Sequence, residues 1–488
     1  MHTASTTTID TALGCVSGLD HGDAIAFLGI RYGESPTGKR RFLAPVASGA
    51  WTGTYDATFF HNQAVQDGHA VFYSETQRDE LGPIDEDCLF LNVFTPSADG
   101  QCRPVMVWIH GGGYVGGSAN EYNGIQLARQ GDIVVVTINY RVGAFGFLDL
   151  SSLGPAYKGS ANNGIRDIIL ALDWVRDYIS DYGGDPDCVT VFGESSGGEA
   201  IMLLLGAPEA QGKFHRVILH SPNGGLADGS KSGFAELCEH LELPLNTTPD
   251  GARNYVTDMD ANKLLTIART GPRIDGLVVT RSATEVYAKD SPAALPIIAG
   301  TNRDEGTLIS FLIGAPGPWA DETDRKGFEL AITESFDRRL EGLLDAVATW
   351  DGPLWKYRLD LPTTCVDCRL GATHAADIPL TFNYPAVDQK THTFYVPTTP
   401  DALRLADAWS STCIQFARTG DPNGAGHLPE WPRFNNRTHP TMVLDATCRV
   451  ADDRELQEEQ EPSDAIHAAF LKHKESMTQS TKKKGLIF

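Results

Sequence analysis

Residues 187–200, DCVTVFGESSGGEA, decide how the rest of the chain reads. Val189, Thr190, Val191 and Phe192 are β-branched or aromatic, which predicts a buried strand. Gly193-Glu194-Ser195-Ser196-Gly197 follows at once, and 199–205, EAIMLLL, predicts a helix. Strand, sharp turn and helix with serine at the apex is the setting in which G-x-S-x-G presents a nucleophilic hydroxyl. The glycines are needed because side chains flanking so tight a turn would collide with the neighbouring strand and helix. Such a turn strains the serine backbone and lifts its Oγ above the sheet edge, at a helix N-terminus whose free N–H groups favour developing negative charge. With 49 Gly in the chain, the five-residue pattern alone carries little weight. The strand before it and the helix after it supply the context the motif requires.

Working outward, apolar strand-like runs stand at 24–30, 86–94, 104–110, 133–140, 217–219 and 296–299. Between them, 161–182 predicts a long helix, because Ile165, Ile168, Ile169, Leu172, Val175 and Ile179 form one apolar stripe. A second helix is predicted over 401–419, stopped by Gly420-Asp421-Pro422-Asn423. Strands alternating with helices imply an α/β fold with a mostly parallel sheet covered on both faces. Ligands in such folds sit beyond the C-terminal ends of the strands. Residues 1–8 read as frayed, 311–360 as helical cover over the site, and 465–471 as an amphipathic helix. Lys482-Lys483-Lys484 reads as a solvated end. The expected organisation is a single domain over 9–470, with insertions around 221–295 and 311–360, then a charged tail over 471–488.

The chain has 488 residues, 41% hydrophobic and 21% charged, which fits a soluble globular protein with a sizeable core. Its net charge of -23 argues against nucleic acid and anionic membranes as partners, since both require basic surfaces. No run of 18 apolar residues predicts a transmembrane helix, and MHTASTTTID lacks the pattern of a signal peptide. Nine cysteines leave at least one thiol unpaired within the chain.

An activated serine needs a base, an orienting carboxylate and an oxyanion hole. In elbow hydrolases the acid and then the base follow the serine along the chain. Glu305, in GTNRDEGT after the strand at 296–299, is the acid candidate, with Asp304 its competitor. His374, in GATHAADIPL, is the base candidate, and His427 and His439 are rivals. His110-Gly111-Gly112-Gly113 follows a buried strand, so its amides can converge on an oxyanion, with the Ser196 amide completing the set. Gly111, Gly113 and Gly116 also fit G-x-G-x-x-G, but a dinucleotide site needs a helix opening there and an acid at the end of the next strand. That strand ends Thr137-Ile138-Asn139-Tyr140, with no acid. Cys365-Val366-Asp367-Cys368 is a single C-x-x-C, read as two ordinary thiols; a disulfide there would lie close enough to His374 to perturb it.

Taken together, several stretches resemble the type-B carboxylesterase/lipase family, which includes the cholinesterases. They are GIRYGESPTGKRRF at 29–42, EDCLFLNV at 86–93, HGGGY at 110–114, NYR at 139–141, GGDP at 183–186 and GESSGG at 193–198. RDEG at 303–306, the His374 segment, FARTGDPN at 416–423 and WPRF at 431–434 continue the likeness almost to the end. The resemblance implies an α/β-hydrolase fold and hydrolysis of carboxylic esters without metal or organic cofactor. Carried over by position, it implies Ser195 as nucleophile, Glu305 as acid in preference to Asp304, and His374 as base. It also implies Gly112, Gly113 and Ser196 as oxyanion donors, with Glu194 lining the substrate site.

Departures from the family pattern also inform the reading. Secreted relatives pair the cysteine of EDCL with an earlier one, but residues 61–66 read HNQAVQ, so Cys88 lacks that partner and an intracellular protein is expected. No Trp stands between Trp51 and Trp108, where cholinesterases hold a cation-binding tryptophan, so choline esters are not the expected substrates. The family's Gln-Ser-Gly after the strand at 217–219 is replaced by His220-Ser221-Pro222. Two other readings share these residues: a transacylase, lactonase or cyclising enzyme on the same triad, and a non-catalytic binding member of the family. Non-catalytic members typically lose the serine and carry a membrane segment, neither of which applies to this sequence.

Overall fold

The computed structural model describes residues 5–66, 80–222, 234–244, 246–265, 271–290, 295–314, 317, 319–350, 352–363, 370–384, 399–459 and 462–484. Its strands are β1 (Ser5–Thr11), β2 (Gly14–Asp20), β3 (Ile25–Arg31), β4 (Thr54–Asp56), β5 (Phe90–Thr95), β6 (Arg103–Ile109) and β7 (Val134–Ile138). They continue with β8 (Gly184–Glu194), β9 (Arg216–His220), β10 (Ile297–Asn302), β11 (Leu354–Leu359), β12 (Thr441–Leu444) and β13 (Arg449–Ala451). All belong to one sheet in the order β1-β2-β3-β5-β7-β6-β8-β9-β10-β11-β12-β13, with β4 beside β2. From β7 to β12 every neighbouring pair is parallel. The remaining strands pair antiparallel except β4, which lies parallel to β2.

The central strands are apolar on both faces because helices cover both. Val105, Val107, Ile109, Val189 and Val191 pack on one side, with the stripe of helix Asn163–Tyr178 and the elbow helix Ser196–Leu205. Met106, Trp108, Phe192 and Ile218 pack on the other, with Trp409, Cys413 and Phe416 of helix Pro400–Thr419. That second helix starts with Thr399 accepting from the Ala402 amide and ends on Gly420 in the left-handed region.

The structure corrects two expectations. Residues 5–11 form an ordered edge strand paired with β2, because β2 offers a complete antiparallel register. The 311–360 region combines helix Glu322–Ala348 with β11, a strand inside the sheet. LWKYRL hides that strand from a sequence reading, since Lys356 and Arg358 look like surface residues. Both are buried: Arg358 is paired with Asp360, and the Lys356 ammonium lies 3.9 Å from Glu341. Helix Asp464–Lys484 spans the helix expected at 465–471 and continues into the charged tail expected from 471. Lys472 and His473 bind Asp324, and Lys474 binds Glu334, on helix Glu322–Ala348.

Candidate active site

β8 ends at Glu194, and the chain turns through Ser195 with φ 55° and ψ −126° into helix Ser196–Leu205. A non-glycine residue there carries strain of roughly 1–3 kcal/mol, held by its surroundings. The Ser195 amide donates to the His220 carbonyl at 2.9 Å. A Cβ on Gly197 would run into the Ile109 carbonyl, so the elbow closes only with glycine there.

Glu305 and His374 reach the same place from two other strands. Glu305 opens helix Glu305–Ile313 directly after β10 and is fully buried. Its Oε1 accepts from the Asn302 amide at 2.7 Å and from Ser221 Oγ at 2.5 Å, and its Oε2 lies 2.5 Å from His374 Nδ1. His374 follows β11 and presents Nε2 to the elbow, 3.0 Å from Glu194 Oε1, on the residue next to Ser195. That approach has ion-pair distance without hydrogen-bond alignment, since Oε1 has no hydrogen-bond partner among the described residues. No hydrogen bond joins His374 to Ser195 Oγ in this arrangement. Phe336, on helix Glu322–Ala348, packs on the imidazole with centroids 4.8 Å apart.

The electrostatics follow from burial and these two carboxylates. Burial alone lowers the His374 pKa, but Glu194 and Glu305 together hold it well above the usual imidazole value. Burial pushes the Glu194 carboxyl up, and His374 holds part of that rise back.

The loop 110–117 lies against the elbow. A side chain on Gly111 would meet the Glu194 carbonyl and carboxylate, and the Tyr114 amide donates to Ser196 Oγ at 3.3 Å. Gly112 and Gly113 adopt φ 110° and 62°, and neither amide has an acceptor among the described residues. The Ser196 amide is the first of its helix and has no intrahelical acceptor. Tyr140 Oη fixes the His110 carbonyl at 2.8 Å, and Gln66 brackets Gly117 through its amide and its carbonyl. No helix opens on Gly111–Gly116, so the dinucleotide pattern lacks its structural partner. His439 lies in a turn 3.9 Å from Asp345, and His427 in a turn after helix Pro400–Thr419. The Cys365–Cys368 pair lies outside the described residues, and Cys88 is buried and free.

Several positioning groups escaped the sequence reading. Asp304, weighed only as a rival acid, staples the His374 segment: its Oδ2 accepts from the Ala372 amide at 2.8 Å, and its own amide donates to the Ala372 carbonyl. Asn302 Nδ2 donates to the Thr373 carbonyl at 2.8 Å, and Thr307 Oγ1 lies 2.7 Å from Thr373 Oγ1. The clustering of polar residues in GTNRDEGT was the available signal, but short polar turns usually mean solvent. Among the described residues, no group of His, Cys, Asp and Glu is arranged to hold a metal ion, and no helix is long and apolar enough to cross a membrane.

Comparison with known proteins identifies the family of the chain. Residues 5–342 and 321–461 match the model of the Carboxylesterase family. The para-nitrobenzyl esterase of Bacillus subtilis is 31% identical over 491 residues, spanning 93% of this chain and 97% of that esterase. The fumonisin B1 esterase of Sphingopyxis macrogoltabida is 31% identical over 479 residues, 88% of this chain and 84% of that protein. A solved Geobacillus stearothermophilus carboxylesterase superposes with a TM-score of 0.75 at 32% identity, covering 95% of this chain and 99% of the other. The parallel sheet with its elbow at the C-terminal edge is thus an α/β-hydrolase fold. The chain belongs to the carboxylesterase family and is a carboxylic ester hydrolase.

Proposed function

We propose that the chain cleaves small-molecule esters through an acyl-enzyme, with Ser195 as nucleophile, His374 as base and Glu305 as the orienting acid. The observation that carries this reading is the 2.5 Å contact between His374 Nδ1 and a fully buried Glu305, with Nε2 turned to the residue beside Ser195. As Ser195 Oγ attacks the ester carbonyl, its proton passes to His374 Nε2. The carbonyl oxygen becomes an oxyanion, held by the amides of Gly112, Gly113 and Ser196. Collapse expels the alkoxide, which takes the proton from Nε2 and leaves as the alcohol. Water then attacks the acyl group, giving its proton to Nε2, and Ser195 recovers that proton when the acid leaves. Glu305 fixes the Nδ1–H tautomer and stabilises the imidazolium that forms at each stage. Glu194 lines the same space, and its carboxylate faces Nε2 before substrate enters.

Short p-nitrophenyl and p-nitrobenzyl esters are the probes, since a relative is named for the latter. Ser195→Ala is expected to abolish their turnover while circular dichroism and Tm stay at wild-type values. Glu305→Gln keeps the shape but loses the charge, and kcat should fall by roughly four orders of magnitude. Retained turnover in Ser195→Ala would refute the assignment.

A further inference from the structure

We infer that His220, through its Nδ1–H, is a positioning residue that locks the three groups of the triad to one another. The inference rests on the triad reading. His220 closes β9 and is fully buried, and it reaches each triad member by a separate route. Its carbonyl accepts from the Ser195 amide at 2.9 Å. The next residue, Ser221, sits at φ 44° and places its hydroxyl on Glu305. The ring Nδ1 lies 2.7 Å from Tyr357 Oη and 3.1 Å from Asp377 Oδ2. Asp377 belongs to the same turn as His374, three residues further on.

The hydrogen-bond chemistry fixes the tautomer. Tyr357 Oη donates to Asp377 Oδ2 at 2.6 Å, so its oxygen is left to accept from Nδ1–H. Nε2 has no hydrogen-bond partner among the described residues and faces a core that includes Trp108 and Trp409, where an N–H would be stranded. The proton therefore sits on Nδ1. Burial opposes the charge on Asp377, yet His220 and Tyr357 hold its carboxyl below the usual range. β9, β11 and the His374 turn are thereby pinned together beneath the site. Where the resemblance expects Gln, this chain has an imidazole.

Asn places its amide nitrogen close to the position of imidazole Nδ1, whereas Leu removes the donor. The test compares His220→Asn, His220→Leu and Asp377→Asn on full-length enzyme, with p-nitrophenyl butyrate as substrate. Rates are normalised to sites titrated by a fluorophosphonate, so that misfolded protein does not count. His220→Leu is expected to lower kcat about 10–100-fold with KM changed less than about three-fold, the magnitude set by misplacing a group without removing it. The rate of fluorophosphonate labelling should fall in parallel. His220→Asn should recover most of the loss, and Asp377→Asn should resemble His220→Leu. Wild-type kcat per titrated site in His220→Leu, or equal losses in His220→Leu and His220→Asn, would overturn the proposal. A His220→Leu protein too unstable to isolate leaves the decision to His220→Asn and Asp377→Asn, where unchanged kcat in Asp377→Asn overturns it. The triad reading fails separately, through retained turnover in Ser195→Ala.

Discussion

His374 stands between two carboxylates, Glu305 on Nδ1 and Glu194 facing Nε2, and each raises its proton affinity. A base works only when neutral, so a raised pKa moves the acid limb of kcat/KM above the ordinary imidazole value of about 6.5. Glu194→Gln removes one of the two charges without changing the shape. The acid limb should then move to lower pH by roughly one unit, as expected when an adjacent opposite charge is lost. The pH dependence of kcat/KM on p-nitrophenyl butyrate checks this, and an unchanged or upward-shifted limb contradicts it. At this scale the sequence was most informative about groups that follow strands. GESSGG and GTNRDEGT mark Ser195 and Glu305 because turn chemistry there sits directly on apolar runs. His374 stood on chain order alone until the family likeness was added. Its contact with Glu194 was invisible, since nothing in the order of residues says which way an imidazole edge points.

Asp304 shows that one turn can carry more than one task. The turn after β10 was expected to yield one catalytic acid, and it yields the Glu305 carboxylate together with a staple for the neighbouring segment. Gly371 adopts φ 64° against Asp304, and a Cβ there would run into the carboxylate. Asp304→Ala strands the Ala372 amide and one end of the Arg303 pair. Losing a charge-assisted bond of this kind costs about 1–3 kcal/mol. The expected outcome is a lower denaturation midpoint and a reduced kcat, because the released segment carries His374. A fall in stability with kcat intact would show that the staple does not position the base. Elements hidden from the sequence share a cause: β11 and β1 carry Lys, Arg or Thr at positions that look exposed, and only neighbouring strands and ion pairs make them part of the sheet.

Across the whole molecule, parallel order in the sheet brings positions far apart in the chain to one edge, and helix Asp464–Lys484 closes the far side of helix Glu322–Ala348. Asp324 caps that junction: it accepts from the Ala320 amide, and Lys472 and His473 join it from the last helix. These contacts lower its pKa to about 2, the Ala320 amide contributing most. A depressed carboxylate pKa gives stability that is full above the unfolded value of about 3.9 and is lost as pH falls through the folded one. Asp324→Asn should therefore lower Tm at pH 5–7, with the gap to wild type closing progressively below about pH 4. A gap independent of pH would mean that packing, not charge, holds the junction. The alternation of strands and helices made the α/β core legible, whereas the docking of the final helix depends on a partner 148 residues earlier and leaves no local trace. The most direct test of the account is to acid-quench the intact enzyme during turnover of p-nitrophenyl acetate and map the acyl group by peptide mass spectrometry. The account predicts one acetyl group on Ser195, accumulating in the wild type and absent from Ser195→Ala; an acyl group on another residue, or turnover with Ser195 unmodified, contradicts it.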